Sequence, residues 1–242
     1  MVFLAPPLKN YLHHMKKTEL NLDYKFSNPE LLTQALIHRS YLNEHRHESM
    51  VSNERFEFLG DAVLELWTSE KLFSLFPAMN EGDLTNLRAM IVRTENLAKI
   101  AQTIDLGNFV LLSKGEEANG GRLNQSILAD TFEAIIGAIF LDKGYVGADL
   151  FLAKHLSTSI TLLSQQKMFK DPKSLFQEIA QAKSGITPHY ETLNESGPDH
   201  KKTFEVGVYL GTKLIASGFG NSKQSAEEEA SSKATKIIDD LV

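Results

Sequence analysis

Among its 242 residues the sequence has no cysteine. That excludes a disulfide scaffold, a thiol nucleophile and any thiolate-held zinc or iron–sulfur site, and it favours a reducing compartment. Long apolar runs are also missing, since no stretch approaches the roughly 18–20 residues needed to span a bilayer. Pro6 and Pro7 stand behind only five apolar or small residues, too few for a signal-peptide core. A cytoplasmic protein with no membrane partner is expected. Nor is there an excess of positive charge: 25 Lys+Arg face 31 Asp+Glu, a formal net charge of −6, whereas nucleic-acid binders usually show a basic balance. What is present is an ordinary globular composition, 42% hydrophobic and 23% charged. It is enough for one large domain or two smaller ones at roughly 100–200 residues each.

The hydrophobic pattern divides the chain. From about Asn28 to Ser164 it is helical: Leu31, Leu32, Ala35 and Leu36 recur at helix spacing, Glu54 to Phe76 runs without proline, and Ile127 to Leu141 is almost wholly apolar. Pro77, Glu81-Gly82-Asp83, Gly107 and the Gly115–Gly121 loop separate these stretches. After Gln165 the period changes. Pro172 suits the first turn of a helix running to about Lys183. Tyr190, Thr192 and Leu193 suggest a strand, Phe204, Val206, Val208 and Leu210 alternate with period two, and Leu214 to Phe219 suggest a third strand. Ser222 is a candidate cap for a last helix with Ala226, Ala230, Ala234, Ile237 and Ile238 on one face. The expected fold is an all-α domain followed by a small α+β domain of order α-β-β-β-α. The first 20 or so residues have no clear period, and Leu8 to Met15 suit a short helix or an arm.

Two segments carry acids where a structural helix has little use for them. Glu54, Glu57, Asp61 and Glu65 fall within about 80° on one helix face, where like charges three and four apart repel. As a solvated stripe they would lie opposite a core face of Phe58, Leu59, Ala62 and Leu66. Asp130 and Glu133 are the only ionisable groups in Ser126–Phe140, which is apolar nearly all round. Two unpaired carboxylates inside a buried helix cost several kcal/mol, of order 5, unless a cation compensates. Arg88, Arg93 or Arg122 could supply it as salt bridges. If the two acidic faces converge instead, an all-oxygen set of Glu57, Asp61, Asp130 and Glu133 suits a hard ion, Mg²⁺ with Mn²⁺ as substitute. A di-iron bundle would use Glu-x-x-His pairs, and the pairs here are Glu-x-x-Glu and Asp-x-x-Glu. Carboxylate-held divalent ions suit hydrolysis of phosphodiesters. Asn53 reads as a helix cap, and Gly60 as a place where another helix comes close, at a propensity cost of about 1 kcal/mol.

The segment Glu54-Arg55-Phe56-Glu57-Phe58-Leu59-Gly60-Asp61-Ala62-Val63-Leu64 resembles the signature of the ribonuclease III family, E-R-L-E-F-L-G-D-A-V-L, with Phe56 in place of one Leu. Ala35-Leu36-Ile37-His38-Arg39-Ser40-Tyr41, Gly120-Gly121-Arg122, and Ile127-Leu128-Ala129-Asp130 with Glu133 resemble further blocks of that family, in the same order. From Asp171-Pro172-Lys173 through Gly197-Pro198-Asp199-His200 to Ser222-Lys223 the chain is similar to a double-stranded-RNA-binding domain. The resemblance implies an arm at 1–20, a helical nuclease domain at 21–165, a linker at 166–171 and an RNA-binding domain at 172–242. It implies a homodimer formed through the signature helix region, with Glu57, Asp61, Asp130 and Glu133 holding Mg²⁺. Asp61 and Glu133 would be the most critical catalytic groups, and Glu54 would stand beside the RNA and the dimer contact. Glu81 matches a position near the cleft; Glu65 is a neighbour of the acidic face and His38 a structural histidine. The implied activity is endonucleolytic cleavage of double-stranded RNA to 5′-phosphate and 3′-hydroxyl ends, in processing of ribosomal RNA precursors and other structured transcripts. The competing readings are a catalytically silent duplex-RNA binder and a carboxylate metal protein unrelated to RNA.

In the second domain the resemblance assigns Gln177 and Glu178 to one minor groove, and Pro198, Asp199 and His200 to the next. Lys201, Lys202, Lys223 and Gln224 would meet the backbone. The family's usual Lys-Lys pair is here Lys223-Gln224, followed by Glu227, Glu228 and Glu229. Residues 171–242 hold 8 Lys, no Arg and 11 Asp+Glu, a balance of −3, and the rest of the chain carries the other −3. Since each lost phosphate contact lowers affinity and flattens its salt dependence, the C-terminal domain is expected to bind duplex RNA more weakly than a typical member. A titration that found tight binding with a steep salt slope would refute this.

Overall fold

The computed structural model describes residues 17–19, 21–45, 50–166, 171–198 and 201–238. The arm expected at 1–20 lies outside them apart from 17–19, as do Asp199 and His200. The chain separates into two compact units, Met1–Gln166 and Lys167–Val242.

The first unit is helical, as its periodicity requires. α1, Pro29–Ala35, starts on the Asn28 side chain, which accepts from the Glu30 amide, with proline in the first turn where no N–H is needed. α2 is Arg39–Glu44, α3 is Glu54–Leu75, α4 is Glu81–Val92, α5 is Thr94–Thr103 and α6 is Lys114–Ala118. α7, Gln125–Gln166, is two helical segments joined at Lys143 and Gly144, where φ of +64° at the glycine breaks the helix. The Asp142 carboxylate fixes this break by accepting from the Ser27 and Asn28 amides and the Tyr24 hydroxyl.

The core forms where α3 packs on the first half of α7. The two backbones nearly touch: a Cβ on Gly60 would fall 1.8 Å from the Glu133 carbonyl oxygen, and one on Gly137 would fall 2.2 Å from that of Phe56. The close approach expected at Gly60 is therefore present, and it has a partner, Gly137, that periodicity alone did not expose. Around it Val63, Leu64, Trp67, Leu72, Phe132, Ile135, Ile136 and Ile139 are buried.

This packing corrects the core face expected for α3. Its buried stripe is Gly60, Val63, Leu64, Trp67, Thr68 and Leu72; Phe58 is 79% and Leu66 61% exposed, Ala62 is exposed and Leu59 half-buried. The helix has two apolar faces, and the glycine at position 60 decides which one the neighbouring backbone can reach. Asn53 is corrected as well. It occupies the cap position of α3 but makes no side-chain cap bond; its buried amide donates to the Ala35 carbonyl at 3.3 Å and ties α3 to α1.

The second unit has the expected α-β-β-β-α order. α8, Pro172–Ser184, begins at Asp171, whose carboxylate accepts from the Lys173 and Ser174 amides. The antiparallel sheet β1–β2–β3 comprises His189–Ser196, Thr203–Leu210 and Lys213–Gly220. α9 is Lys223–Ile237, capped by a reciprocal Ser222–Ser225 box. Phe176 and Ala180 of α8, Val208, Leu210 and Ile215 of the sheet, and Ala230, Ala234 and Ile238 of the last helix form one core. Ile237, expected on the same face, is 37% exposed because it is rotated 100° from Ile238.

Gly60→Ala exchanges about 1 kcal/mol of helix propensity for an overlap that must separate the two helices, and overpacking of this kind costs roughly 1–3 kcal/mol or more. Urea unfolding of the full chain should show the first unit destabilised by about 2 kcal/mol, whereas Gly115→Ala, at a glycine whose added Cβ would meet nothing closer than 4.0 Å, should change little.

Candidate active site

The glycine crossing decides which side chains meet. Because Gly60 lies against the backbone of Glu133, its neighbours Glu57 and Asp61, three before and one after, are brought within electrostatic reach of Glu133, with Asp130 one turn along α7. The electrostatics express this grouping. Burial pushes the Glu133 carboxyl up to about 8, with further upward contributions from Asp61, Asp130, Glu57 and Glu65. Glu57 is raised by burial, then by Asp130, Glu54 and Asp61. Asp130 is raised by burial, against the pull of His38 and Arg39.

Salt bridges do not explain these acids. Arg88 pairs with Glu65 at 2.9 Å and donates to the Ser69 hydroxyl. Arg93 faces Glu95 at 3.8 Å. Arg122 holds Glu117 at 2.7 Å and the carbonyls of Gly107 and Val110. Glu65 is thereby bound into the α3–α4 packing, while none of the three arginines reaches Asp130 or Glu133. Leaving half-buried carboxylates without a cation in the protein is costly, and their donor set, oxygen only, fits a hard divalent ion. Among the described residues no three such side chains stand together at ligand distance. The acids raise the Glu133 carboxyl by their charge without standing at ligand distance.

Beside the acids lies a cleft of about 770 Å³ lined by His38, Arg39, Ser40, Asn43, Asn53, Glu54, Glu57, Glu116, Asn124, Ser126, Ile127 and Asp130. Glu54 sits at its edge, accepting from the Ser52 hydroxyl at 2.7 Å, with exposed Arg39 at 4.0 Å. The His38 Nδ1 accepts from the Ser40 amide at 3.3 Å to start α2 and lies 2.8 Å from the Ser40 hydroxyl, while burial lowers its basicity. A neutral, hydrogen-bonded, helix-starting imidazole is structural, as its sequence context suggested. Glu81 stands exposed in the first turn of α4, apart from the residues that line the cleft. Asn43, Glu116, Asn124 and Ser126 were not singled out from the sequence; the Asn124 side chain accepts from the Ser126 amide at 2.9 Å at the start of α7, while Asn43 and Glu116 come from α2 and α6.

In the second unit Gln177 and Glu178 are exposed on α8, and Pro198 follows β1. Lys201 and Lys202 are exposed just before β2, and Lys223 and Gln224 begin α9. His200 falls outside the described residues. The last helix spends its acids on structure: Glu227 pairs with Lys173, Glu229 accepts from the Phe219 amide and pairs with Lys233, and Glu228 accepts from Gln224 at 2.9 Å.

Comparison with known proteins finds relatives of both units. A family profile described as "Ribonuclease-III-like" matches residues 28–160, and one described as "Double-stranded RNA binding motif" matches residues 172–238. The chain is 44% identical to a "Ribonuclease 3" of a Nitratiruptor species, over 94% of this chain and 98% of the relative. It is 45% identical to a "Ribonuclease 3" of Borreliella afzelii, over 91% of this chain and 90% of that one. The crystal structure of the nuclease domain of ribonuclease III from Campylobacter jejuni is similar at a TM-score of 0.55 and 44% identity, covering 60% of this chain and 94% of that one.

A carboxyl raised by burial binds its proton more tightly in the folded state. The associated stability is complete below the usual value of 4.5 and is lost as pH rises through about 8. In EDTA, the melting temperature of Glu133→Gln should therefore exceed that of the parent by an amount that grows between about pH 5 and pH 9. Millimolar Mg²⁺ should narrow the gap; a constant offset across that range would contradict the burial of this charge.

Proposed function

The chain belongs to the ribonuclease III family, and from that premise we propose that it is an endoribonuclease that cuts double-stranded RNA by metal-dependent hydrolysis. The observation that carries this reading is the group of Glu57, Asp61, Asp130 and Glu133, gathered across one glycine crossing, with Arg88, Arg93 and Arg122 all paired elsewhere. A silent RNA binder has no use for an intact, mutually repelling acid group.

In this reading Glu57, Asp61, Asp130 and Glu133 hold Mg²⁺, with Mn²⁺ as a substitute. Such an ion supplies Lewis acidity: it lowers the pKa of a water and offsets charge developing on phosphate oxygens during in-line displacement. The chain's own residues do the rest. Glu133, whose carboxyl burial pushes up to about 8, would ionise more readily with a cation bound. Glu54 and Arg39, side by side at the cleft edge, meet the sugar–phosphate backbone. Displacement of the 3′-oxygen leaves 5′-phosphate and 3′-hydroxyl ends, with no nucleophilic role for the 2′-hydroxyl.

The working form is a homodimer. Phe58, Leu66 and Phe73 of α3 are 79%, 61% and 76% exposed, and by helical rotation they lie on the sector next to the acids, opposite the buried stripe. A second copy covering them would bring its own acidic face beside this one, one for each strand of a duplex. A solved nuclease domain of the Campylobacter jejuni enzyme is described as structurally flexible in a region involved in dimer formation. The second unit grips the duplex by shape through α8, the turn before β2 and the start of α9. The substrates are structured transcripts of the cytoplasm, precursors of ribosomal RNA among them.

A perfect RNA duplex should be cut by the protein in Mg²⁺ and left intact in EDTA. Glu133→Gln should reduce the rate by about 100-fold or more, and the products should be substrates for a ligase that requires 5′-phosphate. Cutting that survives EDTA or Glu133→Gln, or that leaves cyclic phosphates, would refute the mechanism.

A further inference from the structure

On the second unit, one carboxylate lies between two of the lysines assigned to phosphates. Glu195, near the end of β1, pairs across the sheet with Phe204 of β2. Its Oε1 is 3.0 Å from Lys223 Nζ and its Oε2 3.8 Å from Lys202 Nζ. Lys223 Nζ also lies over the Phe204 ring, 5.7 Å from its centroid. Two lysines from different elements thus converge on one anion. Two acids of the last helix differ: Glu227 and Glu229 bind that helix to Lys173 and to the Phe219 amide, partners that belong to the packing of the fold, while Glu228 accepts from Gln224 within the helix. Both partners of Glu195 are exposed cations on the face read as the RNA grip.

We propose that Glu195 is an internal stand-in for an RNA phosphate. It competes with the duplex for Lys202 and Lys223 and so sets how tightly the second unit holds RNA. The proposal rests on the reading of this face as the duplex-RNA grip. All three side chains are solvent-accessible, with relative exposures of 57% for Lys223, 42% for Lys202 and 38% for Glu195. Exposed ion pairs are weak and easily exchanged, so phosphates can displace the carboxylate. Once displaced, Glu195 remains as a negative charge beside the bound backbone and opposes it. Counterion release comes from lysines that phosphate neutralises, and a lysine already neutralised by the protein contributes less to it. Part of the acidity of this domain thereby acts directly on the lysines of the grip. In an enzyme that must let its cut products go, such a competitor favours release.

The test uses the full chain in EDTA with a blunt RNA duplex of roughly 20 base pairs, longer than the ~16 that one such domain spans, titrated at several KCl concentrations. Glu195→Gln should bind about three- to fivefold more tightly, with a log–log salt slope steeper by about one. Glu195→Lys, a second change at the same exposed position, should extend both effects. Lys223→Gln should weaken binding and flatten the slope. If both Glu195 variants bind no more tightly than the parent while Lys223→Gln binds less tightly, the face grips RNA and the competitor role is overturned. If Lys223→Gln and Lys202→Gln also bind as the parent does, the RNA-grip reading falls with it. The two failures are distinct.

Discussion

The contact on which the first unit depends is the backbone crossing of α3 and α7 at Gly60 and Gly137. Each glycine faces the carbonyl of a residue on the opposite helix, and neither leaves room for a methyl group. Helices normally pack at 8–10 Å because side chains intervene; removing two of them lets the axes approach until the flanking residues of one helix stand beside those of the other. Glu57 and Asp61 then come close enough to raise the Glu133 carboxyl by their charge. The acid group is thus a geometric consequence of two missing side chains.

Electrostatics sets the cost of that arrangement. Partial burial raises the Glu133, Glu57 and Asp130 carboxyls, and repulsion from neighbouring acids adds to it at Glu133 and Glu57. The arginines that could have neutralised them are occupied elsewhere, Arg88 by Glu65 and Arg122 by Glu117 and two carbonyls. Those pairings leave Arg39, exposed at the cleft edge, as the arginine that acts on Asp130.

The second unit distributes its charge differently. Its acids in the last helix hold that helix to α8 and β3, while Glu195 sits against Lys202 and Lys223. The same residue type therefore serves packing in one place and modulation in another, and only the identity of the partner separates the two. Net charge, summed over the chain, is blind to that distinction: −6 combines half-buried acids grouped across the glycine crossing, acids already paired within the fold, and one set against two exposed lysines.

Much of this was legible in the residues alone. Periods of 3.6 and 2 marked the helical unit and the α-β-β-β-α unit, because each is a property of neighbours along one element. The spacing of Glu54, Glu57, Asp61 and of Asp130, Glu133 set the angular relation of the acids within each helix. What the residues left undetermined was every relation between elements: which of the two apolar faces of α3 is buried, that Gly137 answers Gly60, that Asn53 ties to Ala35 instead of capping, and that Glu195 meets Lys202 and Lys223. The physical reason is the same in each case. Periodicity fixes rotation about a helix or strand axis, whereas the partner across a gap is chosen by shape and by close approach, and these exist only once the chain has folded.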